Sequence, residues 1–113
     1  MSEQFAIYPS LRDRVVFITG GASGIGAEHV AQFTAQGAKV AFVDIADDAA
    51  RDLVGRLETA GNAPPFYQHC DLKNIDALRA AIAEVGRRLG PITVLVNNAA
   101  HDQRHKFEDV TVE

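Results

Sequence analysis

The chain has 113 residues, of which 15 are acidic and 11 are basic, so its formal net charge is −4. This balance gives no reason to expect nucleic acid or an anionic membrane as a partner. The length predicts one domain over residues 1–113, with a polar leader at 1–13. The single cysteine, Cys70, excludes an internal disulfide framework and favours a cytoplasmic protein. The first ten residues do not have the pattern of a secretory signal, and no apolar run reaches the about 20 residues that span a bilayer.

Short apolar runs recur along the chain and predict strands that are buried on both faces of a sheet. One further segment is a weaker strand, which Pro64 and Pro65 confine to a start near residue 66. The predicted strands are 15–18, 40–43, 66–69 and 92–96.

Between these strands, apolar residues recur at helical spacing and predict three helices. The first helix ends at Gly37, and the second begins at Asp47 as N-cap and closes at 61–62. The third is capped by Asn74, carries an apolar stripe from Ile75 to Leu89, and stops before Gly90-Pro91.

The alternation of buried strands with amphipathic helices indicates βαβ crossovers, and therefore an α/β fold. We expect a doubly wound parallel sheet of four strands with helices on both faces, a Rossmann fold with strand order 3-2-1-4. The fold is expected to be incomplete at its C-terminus, because the strand at 92–96 would be left as an apolar edge with a bare face.

The turn between the first strand and the first helix reads Thr19-Gly20-Gly21-Ala22-Ser23-Gly24-Ile25-Gly26. A pyrophosphate must lie close to backbone N–H groups, and the amino end of a helix offers unsatisfied donors and a favourable dipole. Glycine allows this approach because it has no side chain. The turn therefore predicts a dinucleotide site, with a glycine-rich turn that binds no ligand as the alternative.

The spacing of the glycines is specific. The generic G-x-G-x-x-G pattern fails, because His29 occupies the position of its third glycine, whereas T-G-x-x-x-G-x-G matches. In this pattern the sequence resembles the short-chain dehydrogenase/reductase family, in its classical subgroup; the extended subgroup would have glycine at Ser23. The residues expected to contact the cofactor at the turn are Gly20, Ala22, Ser23, Gly24, Ile25 and Gly26.

Asp44 ends the second strand, where a carboxylate can accept hydrogen bonds from both hydroxyls of the adenosine ribose. The same charge would repel a 2′-phosphate, and neither the turn nor Ile45-Ala46 contains Lys or Arg. NAD is therefore favoured over NADP, with Asp44 and Ile45 as binding residues. The alternative is a solvated acid at the end of a strand.

The resemblance implies further cofactor contacts after the third and fourth strands. Asp71 and Leu72 would contact the adenine ring, although an Asp in this position is as often a helix cap. The segment Asn97-Asn98-Ala99-Ala100 resembles the N-N-A-G segment of the family, with Ala100 in place of glycine. It implies contacts to the nicotinamide ribose from Asn98, Ala99 and Ala100.

No catalytic residue can be assigned within the chain. The family uses a tyrosine with a lysine four residues later, and Tyr8 and Tyr67 are instead followed at that spacing by Arg12 and Asp71. We therefore expect the chain to bind a cofactor without turnover. It is either part of a longer enzyme, which the bare edge favours, or a natural short protein that kept the binding half.

The segment from His101 to Lys106 follows the fourth strand as a polar loop and resembles that of family members acting on sugars or polyols, with a plain solvated loop as the alternative. His101 and His105 have the spacing of zinc ligands on a helix, but a turn is expected here and no third ligand is evident, so no metal site is predicted. His29 and His69 have no matching partners in the sequence and are interpreted as structural.

Together these features predict an NAD-dependent oxidoreductase that transfers hydride between NAD and a small-molecule alcohol or carbonyl substrate, of which this chain supplies the cofactor-binding half. The resemblance implies a homo-oligomer, since subunits of the family pair through later helices. A non-catalytic NAD-binding module is the alternative. A methyltransferase on a similar sheet is disfavoured, because Thr19-Gly20 and 97–99 have no role in it.

Overall fold

The computed structural model describes residues 9–98, in which strands and helices alternate after a short 3-10 helix at Pro9–Leu11. The 3-10 helix lies in the predicted leader, and the part of the leader before it lies outside the described residues. The elements are β1 (Val15–Thr19), α1 (Gly24–Ala35), β2 (Lys39–Asp44), α2 (Asp47–Thr59), β3 (Phe66–His69), α3 (Ile75–Leu89) and β4 (Val94–Asn97).

The four strands form one parallel sheet in the order β3-β2-β1-β4, which confirms the predicted order. Their carboxyl ends meet at one edge of the sheet, because Thr19 of β1 pairs with both Val43 of β2 and Asn97 of β4. Asp44 pairs in turn with His69 at the end of β3. The register thus brings together the segments that follow all four strands.

Two apolar clusters cover the two faces of the sheet. One combines Ile18 and Phe42 of the sheet with Val30 of α1 and Leu53 of α2. The other combines residues of the opposite face, among them Phe17, with Val85 of α3. Helices therefore lie on both faces, and the doubly wound α/β fold is confirmed.

Cys70, directly after β3, is buried, with 3% of its surface exposed. Burial raises the pKa of its thiol.

β4 lies at one edge of the sheet formed by residues 9–98, and its Leu95 is 58% exposed on the face that carries α3. Within residues 9–98, no helix has the length and apolar character that a membrane crossing requires.

Several predicted boundaries are wrong by one or two residues: β1 extends to Thr19, and β2 runs from Lys39 to Asp44. β4 begins at Val94 rather than Ile92, because the ladder with β1 starts only where the Thr93 N–H reaches the carbonyl of Val15 at 3.0 Å. α2 has Ala46, not Asp47, as its N-cap, because the chain turns earlier around the side chain of Asp44. Asn74 caps α3 as predicted, with its side-chain oxygen 3.0 Å from the Ala77 nitrogen.

Gly55 and Gly61 provide a matched pair for testing the placement of α2. An added Cβ meets no atom within 4 Å at either position, but Gly55 lies within the helix while Gly61 has a φ of +96°. We expect Gly55→Ala to stabilise the protein by about 1 kcal/mol, because alanine loses less backbone entropy in a helix. Gly61→Ala should destabilise by a similar amount, since left-handed backbone costs about 1 kcal/mol in alanine. Thermal unfolding measures both shifts, and shifts of the same sign would contradict this placement.

Candidate cofactor-binding site

The glycine turn is attached to the end of β2. The N–H groups of Gly20 and Gly21 both donate to the carbonyl oxygen of Val43, at 2.8 and 3.3 Å. A Cβ on Gly21 would lie 2.7 Å from the Cβ of Phe42, so this position also excludes a side chain. The sequence pattern left Gly21 unexplained, and the packing of the turn on Phe42 supplies the reason.

Gly26 is the most constrained position of the turn. A Cβ there would lie 1.9 Å from the carbonyl oxygen of Gly20 and 2.6 Å from the side-chain nitrogen of Asn98. That nitrogen donates to the Gly20 oxygen at 3.1 Å, and the Asn98 N–H donates to the Thr19 hydroxyl at 2.9 Å. Asn98 therefore joins the end of β4 to the turn, and Gly26 is where α1 passes closest to both.

The amino end of α1 faces the same edge of the sheet as the turn. Ser23 is the N-cap residue in an extended conformation, and its side chain does not cap the helix. No acidic side chain lies in the first turn of α1. The first N–H groups of a helix have no intrahelical acceptor and carry partial positive charge. The exposed backbone from Ser23 to Ile25 can therefore bind an anion such as a pyrophosphate.

The carboxylate of Asp44 lies directly across from the glycine turn. One of its oxygens accepts a hydrogen bond from the Ala22 N–H at 3.0 Å. The other accepts from Ile45 and Ala46, at 2.7 and 3.0 Å. A carboxylate has about four acceptor positions, so this geometry leaves capacity for a ligand hydroxyl. The structure thus brings the two strongest sequence signals into direct contact.

The remaining predicted site residues are less tightly linked to the turn. Asp71 accepts from the Lys73 N–H at 3.0 Å in a local turn, and Leu72 is half-buried against the core cluster on the α3 face. Ile25, in the turn, and Ile45, after β2, are 70% and 61% exposed, so both are available to pack on a ligand. Ala99 and Ala100 lie outside the described residues, as does the segment 101–106.

A polar cluster beside Asp44 was not predicted. The Tyr67 hydroxyl contacts the carboxylate of Asp47, and it donates to the carbonyl oxygen of Asp44 at 2.9 Å. The His69 ring lies 2.9 Å from the same Asp47 oxygen, a partner that the sequence did not reveal. Tyr67 and His69 are two apart on β3 and therefore share a face, but only the pairing of β3 with β2 brings them to Asp47.

The cluster shifts two ionisation equilibria. Hydrogen bonds with Tyr67 and then with His69 lower the pKa of Asp47 and keep it ionised. Burial, followed by the hydrogen bond with Asp47, raises the pKa of Tyr67 well above its ordinary value. Tyr67 therefore stays protonated at neutral pH and acts as a hydrogen-bond donor, which does not suit it to abstract a proton.

Within residues 9–98, no group of three or more His, Cys, Asp or Glu side chains is arranged to hold a metal ion. His101 and His105 lie outside these residues, as does Tyr8. His29 is half-buried on α1.

The fold and the turn agree with comparisons against known proteins. The family model for short chain dehydrogenases matches residues 14–113, and the chain belongs to this family. It is an oxidoreductase family whose members bind nicotinamide cofactors.

Two curated relatives are dehydrogenases named for sugars. The chain is 53% identical to D-xylose 1-dehydrogenase of Caulobacter vibrioides over 107 residues, which cover 94% of the chain and 41% of the relative. It is 51% identical to the "Probable galactose dehydrogenase" of Rhizobium meliloti, with the same coverage. The chain thus spans about two fifths of the length of these relatives.

Solved structures of the family share the same fold. A hydroxysteroid dehydrogenase from Escherichia coli superposes with a TM-score of 0.74 at 34% identity, covering 80% of this chain and 38% of the other. A dehydrogenase/reductase from Sinorhizobium meliloti gives the same TM-score at 33% identity, covering 79% and 35%.

Gly24 and Gly26 test the close packing of the turn. The added methyl group in Gly26→Ala would collide with the carbonyl of Gly20 and with the side chain of Asn98. We therefore expect this substitution to destabilise the protein by about 3 kcal/mol or to prevent folding. Gly24→Ala meets no atom within 4 Å and has only the cost of a φ of +60°, about 1 kcal/mol. Chemical denaturation of both variants measures the difference, and equal losses would show that the Gly20–Gly26 contact is misplaced.

Proposed function

We propose that the protein carrying this chain is an NAD-dependent oxidoreductase that transfers hydride between NAD and an alcohol, of which residues 1–113 supply the cofactor-binding half. The observation that carries this proposal is the contact between Asp44 and Ala22, which joins the carboxylate proposed to bind the ribose to the turn proposed to bind the pyrophosphate. The cofactor supplies the hydride chemistry, and the chain's own residues bind and orient it.

The expected contacts follow from where each group lies. The turn from Gly20 to Gly26, through Ala22, Ser23, Gly24 and Ile25, would hold the pyrophosphate at the amino end of α1. Asp44 and Ile45 would take the adenosine ribose, and Asp71 and Leu72 the adenine. Asn98, Ala99 and Ala100 would flank the nicotinamide ribose. The exposed side chains of Ile25 and Ile45 support this arrangement, because a bound dinucleotide would cover them.

A sugar or polyol hydroxyl is the proposed site of oxidation. The relatives named for D-xylose and galactose support this substrate class, as does the resemblance of the segment 101–106. A cytoplasmic location is supported by the single, buried Cys70. We further propose a homo-oligomer at full length, with no nucleic acid or membrane as partner, on the basis of the family resemblance and the acidic net charge.

Asp44 is the residue that tests cofactor choice. We expect Asp44→Ala to weaken NAD binding at least tenfold, since it removes charge-assisted hydrogen bonds to the ribose. NADP binding should fall much less, because loss of repulsion towards the 2′-phosphate offsets the loosened turn. Asp44→Asn is a partial control: it removes the charge but keeps one acceptor oxygen, which can bond either Ala22 or the pair Ile45 and Ala46, not both sets. Titrations with both cofactors measure these changes, and equal losses for NAD and NADP would contradict the ribose assignment.

A non-catalytic NAD-binding module is the second candidate, favoured by the lack of a Tyr-x-x-x-Lys within residues 1–113. We expect these 113 residues alone to form no NADH from NAD and a panel of sugars and polyols, because their sequence contains no Tyr-x-x-x-Lys pair to supply the acid–base chemistry. The assay follows absorbance of the reduced cofactor, with NAD binding measured in parallel. Turnover by residues 1–113 alone would overturn the proposal that they supply only the cofactor-binding half. Inactivity of the protein at its full natural length would favour the non-catalytic module.

A further inference from the structure

The segment Asp44–Asp47 connects β2 to α2 and carries the proposed ribose-binding carboxylate. Its two ends are held by the same side chain on the neighbouring strand. The Tyr67 hydroxyl is 2.9 Å from the carbonyl oxygen of Asp44 and also contacts the carboxylate of Asp47. A tyrosine hydroxyl has one proton, so the two acceptors share it in a three-centred hydrogen bond.

Other bonds complete a closed network around this segment. The Asp44 carbonyl oxygen also accepts from the Cys70 N–H at 3.0 Å, and the Asp47 N–H donates to the carbonyl of Ile45 at 3.1 Å. His69 lies 2.9 Å from the Asp47 carboxylate on its exposed side. Each end of the segment is therefore bonded to β3 or to the loop after it, and Tyr67 touches both ends.

The position of the Tyr67 hydroxyl is set by the core. Its ring packs on Phe42 with centroids 5.1 Å apart and planes tilted by 38°. Phe42 is fully buried and also lies under Gly21 of the glycine turn. The turn on one side of Asp44 and the tyrosine on the other therefore rest on the same aromatic side chain.

We infer that Tyr67, assisted by Asp47 and His69, is a positioning residue that keeps the Asp44 carboxylate across from the glycine turn and so sets cofactor affinity and selectivity. The inference rests on the proposed function of Asp44. Without the hydroxyl, the far end of the segment keeps only the exposed contact of Asp47 with His69 on β3. The carboxylate then leaves the geometry in which it can accept from a ribose hydroxyl and oppose a 2′-phosphate.

Tyr67→Phe tests the inference with little change to the core, because it retains the ring that packs on Phe42. In the protein at its full natural length, we expect KM and Kd for NAD to rise about threefold to tenfold. The kcat should not change, because the nicotinamide end is untouched. The Kd for NADP should rise less, so the preference for NAD falls. A loss of stability alone would not produce this difference between the two cofactors.

Two variants extend the test. His69→Gln lies on the exposed surface, removes no core contact, and should shift the same constants in the same direction by a smaller factor. Asp52→Asn is the control: it removes a carboxylate from the same helix, where Asp52 pairs with Arg56 at 3.3 Å, and should leave all constants unchanged. In a double-mutant cycle, Tyr67→Phe and Asp47→Ala should be non-additive, because both remove the same hydrogen bond.

The outcomes separate this inference from the proposed function. If the unmodified protein binds neither NAD nor NADP, the proposed function fails and this inference fails with it. If it binds NAD but Tyr67→Phe and His69→Gln leave the NAD and NADP constants unchanged, only the positioning role is overturned. If Tyr67→Phe weakens the binding of NAD and of NADP by the same factor, the positioning role is likewise overturned and Tyr67 is a structural residue.

Discussion

The close approach of α1 to the end of β1 determines the geometry of the site. The carbonyl oxygen of Gly20 occupies the space in which a side chain at position 26 would begin, and Asn98 donates to that same oxygen. Three elements therefore meet at the Gly20 carbonyl. Gly20 follows β1 directly, Gly26 belongs to α1, and Asn98 follows β4 directly. Because this contact fixes the amino end of the helix against the sheet, it also fixes the direction of the helix N–H groups that can bind an anion.

A carboxylate beside an anion-binding turn is electrostatically unfavourable unless it has donors of its own. Asp44 has three backbone N–H donors, from Ala22, Ile45 and Ala46. The first of them belongs to the turn itself, so the turn neutralises part of the charge that faces it. The cofactor phosphates and Asp44 can therefore occupy neighbouring positions without sharing the same donors, since the helix N–H groups remain available to the phosphates.

The strands, their order and the position of the turn followed from the sequence because they depend on local patterns. The run from Val15 to Ile18 is apolar throughout, as a strand covered on both faces must be, and the glycines after it have a spacing that few folds require. Right-handed crossovers then leave little freedom in strand order. The first residue of β4 was missed because Ile92 is apolar and resembles a strand residue, although the ladder with β1 begins later.

The cluster of Tyr67, Asp47 and His69 could not be predicted in this way. Its members come from two elements, and they meet only because Asp44 pairs with His69 and because the chain turns at Ala46. A shift of β3 by one residue would place Tyr67 and His69 on the opposite face of the sheet, so the cluster depends on a register that residue type does not reveal. The cluster also explains why Asp47 is not the N-cap of α2. A carboxylate that accepts from Tyr67 is directed at β3 rather than at the first N–H groups of its own helix. The start of α2 is therefore set by Asp44, which accepts from Ile45 and Ala46. The residue that is proposed to select the cofactor thus also ends β2 and orients α2.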